Sequence, residues 1–212
     1  MRTLLILGST GLVGQQALAL ALADARVTRV VAPTRRPLPA HERLLNPLVD
    51  FEQLPAQAPW WHADAVLCAL GTTRRQAGSP EAFRRVDHDY VVAACRLARE
   101  AGTPTCALVS SLGADAASRG LYLRVKGETE RDVAALGFDA LTCLRPSLLD
   151  GGPRLDRRPG EAVALALSRA VLPLLPRRWR PVRTEHVARA LLEAALAAGP
   201  GRHVLLSEAL QP

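Results

Sequence analysis

Residues 3–14 read Thr3-Leu4-Leu5-Ile6-Leu7-Gly8-Ser9-Thr10-Gly11-Leu12-Val13-Gly14. An aliphatic run over 3–7 breaks at glycine, and the Ala/Leu-rich stretch that follows, 12–23, has the composition of a helix. Strand, glycine turn and helix is the simplest reading. Glycines in such a turn permit a tight bend, let the backbone approach a pyrophosphate and allow close helix packing, while the helix N-terminus turns free N–H groups towards negative charge. Gly8, Ser9, Thr10, Gly11, Leu12, Val13 and Gly14 are therefore read as a dinucleotide-binding turn. An ordinary strand-to-helix turn is the alternative.

The same alternation continues along the chain. Strands are expected at 27–31, 48–50, 65–70, 105–109, 140–144 and 203–206, and helices at 80–101, 121–136, 161–172 and 185–198. Ser79-Pro80-Glu81 is a helix start, with a capping hydroxyl, proline at the first position and an acid in the first turn. Strands alternating with helices imply a parallel sheet covered on both faces and joined by right-handed crossovers. After Leu144 the texture loosens, and Pro146, Gly151, Gly152, Pro153, Pro159, Pro173, Pro176 and Pro181 punctuate a small lobe at 145–183, expected on the substrate side. The whole, 1–212, reads as one domain.

A chain of 212 residues, 49% hydrophobic and 22% charged, is neither disordered nor collagenous, and its 4 Cys are too few for a disulfide scaffold. Widely spaced and without a C-x-x-C, they read as reduced core residues. No His or Cys grouping has ligand spacing, so no metal is expected. The N-terminal apolar run is interrupted from Gly8 onward, unlike an export signal, and the apolar stretch 162–175 is too short and too broken to span a bilayer. These features predict a cytoplasmic protein. The net charge of +7 is C-terminal in origin: 151–212 carry 10 Lys+Arg against 5 Asp+Glu, centred on Arg177, Arg178, Arg180 and Arg183. With one aromatic among them, this is a poor nucleic-acid surface; it reads as a solvated loop or as a seat for an anionic substrate group.

About 20 residues past the glycines, an acid would read a ribose 2′-hydroxyl and an arginine would accommodate a 2′-phosphate. Here stand Thr34, Arg35 and Arg36, which favours NADP over NAD, with two solvated arginines as the plain alternative. Spacing alone offers Asp50 and Phe51 as neighbours of the adenine.

Residue usage points to a second cluster. Among 27 basic residues there is one lysine, Lys126, and it lies four residues after Tyr122, one of only 2 Tyr. Helical spacing puts both on one face. A phenol with a solution pKa of about 10 is a poor acid/base at neutral pH, and a neighbouring ammonium favours its phenolate. The plain alternative pairs Lys126 with Glu130 on a solvent-facing surface. Ser110 and Ser111 close the fifth strand at the edge where ligands of such sheets bind.

At these residues the chain resembles the short-chain dehydrogenase/reductase superfamily, with its Ser, Tyr-x-x-x-Lys set. Leu70-Gly71-Thr72-Thr73, Gln76-Ala77-Gly78, Phe83, Arg85-Val86-Asp87, Asp89-Tyr90-Val91, Ser110-Ser111, Gly113-Ala114-Asp115, Tyr122-Leu123, Val125-Lys126-Gly127-Glu128 and Leu144-Arg145-Pro146-Ser147 narrow this. They are similar to the atypical branch that includes Tat-interactive protein and its bacterial relatives. The resemblance implies a Rossmann-type doubly wound α/β fold and NADP(H) held by Gly8, Thr10, Gly11, Leu12, Val13, Gly14 and Arg35. It places Leu70, Gly71, Thr72, Pro146 and Ser147 near ribose and nicotinamide, with Lys126 also at the ribose. Ser111 rather than Ser110 would orient substrate, Tyr122 would be the acid/base and Lys126 its partner.

Two departures qualify this. The only Asn is Asn46, and Asp87 stands where extended members often carry Asn. About 60 residues follow Ser147, few for a nucleotide-sugar domain. The expected activity is thus NADP(H)-dependent reduction of a small carbonyl or oxidation of an alcohol. The alternatives are an NADP-binding regulatory protein acting through a protein partner or as a homodimer, and an epimerase-like enzyme.

Overall fold

A computed structural model describes residues 2–150, 176–197 and 199–211. Seven strands form one parallel sheet: β1 (Arg2–Leu7), β2 (Val27–Val31), β3 (Leu44–Leu45), β4 (Ala65–Cys68), β5 (Thr105–Val109), β6 (Ala140–Arg145) and β9 (Gly201–Leu206), in the order β3-β2-β1-β4-β5-β6-β9. Two short strands, β7 (Leu149–Asp150) and β8 (Val182–Arg183), pair beyond the carboxyl end of β6. The helices are α1 (Leu12–Ala23), α2 (Arg74–Ala77), α3 (Pro80–Arg84), α4 (Tyr90–Glu100), α5 (Leu121–Ala135) and α6 (Thr184–Ala197).

The sheet carries helices on both faces, and each inner strand feeds both layers. From β1, Leu4 and Ile6 enter the layer under α1 and α6, while Leu5 and Leu7 enter the layer under α4 and α5. Strands buried on both sides need continuous apolar runs, which is why 3–7 and 65–68 lack polar alternation. All four cysteines are buried, in the α4 layer. This is the parallel sheet covered on both faces that the alternation predicts, and the Rossmann-type architecture that the resemblance implies.

Three local expectations fail. The third strand is Leu44–Leu45, not 48–50; Leu48 makes only an isolated bridge to Thr34. The sole asparagine explains the shift. Asn46 donates to the Ala32 carbonyl and to the Thr34 hydroxyl and accepts from the Leu38 amide, binding the chain to the end of β2 before residue 48 is reached. The helix expected over 80–101 is broken by one π turn, Arg85–Asp89, in which the Tyr90 amide bonds back to Arg85. Strand β4 ends at Cys68, and 69–73 leave the sheet as a loop. The helix expected at 161–172, and with it 151–175 of the expected small lobe, lies outside the described residues.

The order reverses between β1 and β4, from which the chain winds in opposite directions. In such sheets the crevice beyond the carboxyl ends of the two strands at this point is where ligands bind.

Candidate active site

At that crevice β1 turns sharply into α1. Gly8 has φ +83°, a conformation that L side chains rarely adopt, and a Cβ there would lie 2.5 Å from the Leu70 amide nitrogen. Gly14 sits on the first turn of α1 with its α-carbon against the Gly8 carbonyl; a Cβ would approach that oxygen to 2.0 Å. The two glycines let strand, turn, helix and the loop after β4 meet. Gly11 caps α1 without a side-chain hydrogen bond, its own amide bonding to the Gly8 carbonyl, and the first turn holds no acid, so the first N–H groups of α1 have no partner among the described residues. Ser9 is fully buried and its hydroxyl has no hydrogen-bond partner among the described residues.

Arg35 and Arg36 follow Thr34 past the carboxyl end of β2, both exposed and neither in an ion pair among the described residues. Thr34 donates its hydroxyl to the Arg36 carbonyl, fixing the backbone of this pair. Asp50 is exposed and its carboxylate accepts from the Glu52 amide. Phe51 is buried, 5.7 Å from the Tyr90 ring.

The other half of the crevice is assembled from side chains. Tyr122 lies on the first turn of α5, more than a third exposed, its ring tilted 5.7 Å from that of fully buried Phe83. One turn further on, Lys126 is buried and its Nζ lies 2.7 Å from Asp87 Oδ1. Asp87, in the π turn, is 1% exposed and its second oxygen accepts from the Thr72 amide at 2.7 Å. Burial works against the lysine's charge, but the Asp87 carboxylate and the nearby Tyr122 phenol outweigh it and hold the ammonium above the ordinary lysine value. The alternative Lys126–Glu130 surface pair does not form. Glu130 is also buried, gripped by Arg145 at 2.9 and 2.7 Å and approached by Arg202 at 3.5 Å.

Ser110 and Ser111 differ. Ser110 is buried with an unpartnered hydroxyl, its amide bonded to the Leu144 carbonyl; Ser111 is half-buried, its hydroxyl 3.4 Å from the Leu112 carbonyl. Leu70, Gly71 and Thr72 run between the glycine turn and Asp87. Pro146 accepts from the Leu112 amide, and Ser147 donates to the Arg180 carbonyl while Ser207 bonds both its amide and its hydroxyl.

The structure thus brings Gly8–Gly14, Leu70–Thr72, Tyr122, Lys126 and the two serines to one rim. The pairing of Asp87 with Lys126 had no signal in spacing, since the residues lie on different elements.

Against known proteins, the chain is 39% identical to protein HTATIP2 of Rattus norvegicus over 215 residues, covering 97% of this chain and 86% of the relative. The chain belongs to the HTATIP2 family. That membership bears out the resemblance carried by the motifs. Protein FMP52 of Candida albicans is 36% identical over 168 residues, covering 75% of this chain and 72% of that protein. It is named a mitochondrial protein, as is fmp52 of Emericella nidulans at 38% identity. These relatives overturn the cytoplasmic expectation, which rested on the interrupted N-terminal run and the short, broken apolar stretch at 162–175. No family model matches the chain.

Among solved structures, MoeE5 in complex with UDP-glucose and NAD superposes with a TM-score of 0.70 at 20% identity, over 96% of this chain and 75% of that one. The oxidoreductase ylbE of Lactococcus lactis gives a TM-score of 0.65 at 16% identity, over 98% and 94%. The chain therefore shares its Rossmann-type fold with the NAD-bound MoeE5 and with ylbE.

Proposed function

We propose that the chain is an NADP(H)-dependent oxidoreductase of a small carbonyl or alcohol. The observation that carries this reading is the unique lysine, buried, ion-paired and one helical turn from a solvent-accessible tyrosine, on the rim that also holds the glycine turn. The site fits a nicotinamide dinucleotide. Unclaimed amides at the start of α1 and the orphaned Ser9 hydroxyl suit a pyrophosphate, and Arg35 and Arg36, unpaired at the end of β2, suit a 2′-phosphate.

When bound, the nicotinamide supplies or accepts the hydride. The chain's own residues do the rest. Ser111 orients the substrate oxygen, and Tyr122 passes a proton between its phenolic oxygen and that atom. Lys126 stays charged beside the phenol, and would reach the ribose as a compact donor where an arginine fork would not fit. Leu70–Thr72 and Pro146-Ser147 would lie near the cofactor's ribose and nicotinamide. Phe83 fixes the plane of the Tyr122 ring.

Fluorescence titration with NADPH and NADH tests the cofactor half: NADPH is expected to bind at least tenfold more tightly, and equal affinities refute it. Turnover of a carbonyl panel by wild type and Tyr122→Phe tests the chemistry. A regulatory role through protein partners prevails if no carbonyl turns over and Tyr122→Phe retains the cellular role.

A further inference from the structure

We infer that Asp87 is a positioning residue of this site, the buried carboxylate that aligns the acid/base pair with the nucleotide turn by holding Lys126 with one oxygen and the Gly71–Thr72 loop with the other. The inference rests on the oxidoreductase reading and adds to it a residue outside the Ser, Tyr, Lys set.

The geometry is unusually closed. Asp87 Oδ1 lies 2.7 Å from the Lys126 ammonium, and Oδ2 accepts the Thr72 amide at 2.7 Å. The loop bearing Thr72 begins at Ala69 and Leu70, the residues that press against Gly8. One carboxylate therefore connects three segments: the loop touching the glycine turn, the π turn between α3 and α4, and α5. The π turn itself is pinned to α5, because the Asp87 carbonyl accepts from the Thr129 hydroxyl at 2.9 Å and His88 contacts Asp132 at 2.9 Å. An extra residue in a helix turn redirects the side chains that follow it, and such turns cluster at functional sites. Gly71 leaves room for the pair: a Cβ there would stand 3.0 Å from Asp87 Oδ1 and 3.5 Å from Lys126 Nζ.

The chemical consequence follows from the neighbours of the ammonium. It is faced by Asp87 from the π turn, Tyr122 on its own helix and Cys68 at the end of β4. Asp87 is the carboxylate among them. With an amide in its place, burial is left to act against the charge, and the lysine gives up its proton in a range where the wild type keeps it. A neutral lysine does not hold a ribose as an ammonium does.

Because the chain has one lysine, its side chain gives one resonance when lysine is ¹³Cε-labelled, and the cofactor-free protein can be titrated directly. D87N is expected to release the Lys126 proton at least tenfold more readily, at least one pH unit lower, than wild type. NADPH affinity in D87N should then fall as pH rises through that titration, while wild type stays flat. Should D87N fail to fold, G71A, at a position with ordinary φ, crowds the same pair and is expected to move the titration part-way in the same direction. An unchanged lysine titration in folded D87N, or in G71A if D87N does not fold, overturns the inference. The oxidoreductase reading fails separately, if wild type turns over no carbonyl of the panel and Tyr122→Phe keeps the cellular role.

Discussion

On the α1 side of the rim the candidate site is made of main chain. Gly8, Gly11 and Gly14 let strand, turn and helix meet without side chains, no side chain caps the helix, and the exposed Arg35 and Arg36 have no ion-pair partner among the described residues. On the α5 side it is made of side chains. Tyr122 packs on Phe83, Lys126 on Asp87, and Asp87 on the Thr72 amide, with partners drawn from three segments. A main-chain site tolerates change wherever a Cβ fits and nowhere else, whereas a side-chain site loses its chemistry to a single atom while the fold stands. The two halves should therefore break in different ways.

The largest effect is expected on the side-chain half. Tyr122→Phe removes one oxygen that makes no hydrogen bond among the described residues, and keeps the ring on Phe83. Turnover should fall by about 10²–10⁴-fold, the usual contribution of a general acid, with the thermal midpoint and NADPH affinity nearly unchanged. Parallel steady-state kinetics, melting curves and fluorescence titration check this. A comparable loss of stability would mean that the hydroxyl is structural.

Gly14→Ala should do the reverse. A Cβ placed 2.0 Å from the Gly8 carbonyl oxygen meets backbone, which cannot swing aside, so strand and helix must separate. A cost of about 3 kcal/mol in urea unfolding is expected, together with loss of dinucleotide binding. Gly11→Ala, whose Cβ would sit at an ordinary 3.4 Å from the same oxygen, should leave stability within about 1 kcal/mol. If both alanines are equally tolerated, the main-chain account of this half is wrong.

The contrast also explains what the sequence disclosed. A glycine turn between an apolar run and a helix leaves a local pattern, so β1, the turn and α1 were legible residue by residue, with α1 falling on 12–23 as expected. The Tyr122/Lys126 pair was legible because four-residue spacing is a helical contact. The partners were not: Asp87 meets Lys126, and Arg145 meets Glu130, across elements whose approach depends on sheet order and on a π turn that no propensity marks. The misplaced third strand has the same origin, because Asn46 acts through hydrogen bonds to 32, 34 and 38 rather than through periodicity.

A smaller effect should sharpen the reading of Arg35 and Arg36. As exposed cations without partners they contribute little to folding, so the double alanine variant should melt as wild type does. Its NADPH affinity should fall by roughly tenfold or more, with NADH affinity nearly unchanged, because only a 2′-phosphate needs them. Equal losses for both dinucleotides would assign the arginines to general electrostatic attraction instead.

The smallest effect concerns acid. Asp132, on α5, is held down to about 2 by its hydrogen bond to Arg131 and then by that to His88 in the π turn. A carboxyl depressed in the folded state contributes stability that is complete above the ordinary value of 3.8 and is lost as pH falls towards 2. Because Arg131 and Asp132 are partly exposed, less than about 1 kcal/mol is at stake. Denaturant unfolding of wild type should therefore weaken between pH 5 and pH 2.5 by slightly more than that of Asp132→Asn. The loss should surface first where α5 leans on the π turn, in faster amide exchange around Asp87 and Lys126, while the amides of β1 and α1 keep their protection. Equal acid sensitivity in both places would mean that the two halves of the rim share one set of supports, and the distinction between a main-chain half and a side-chain half would lose its physical basis.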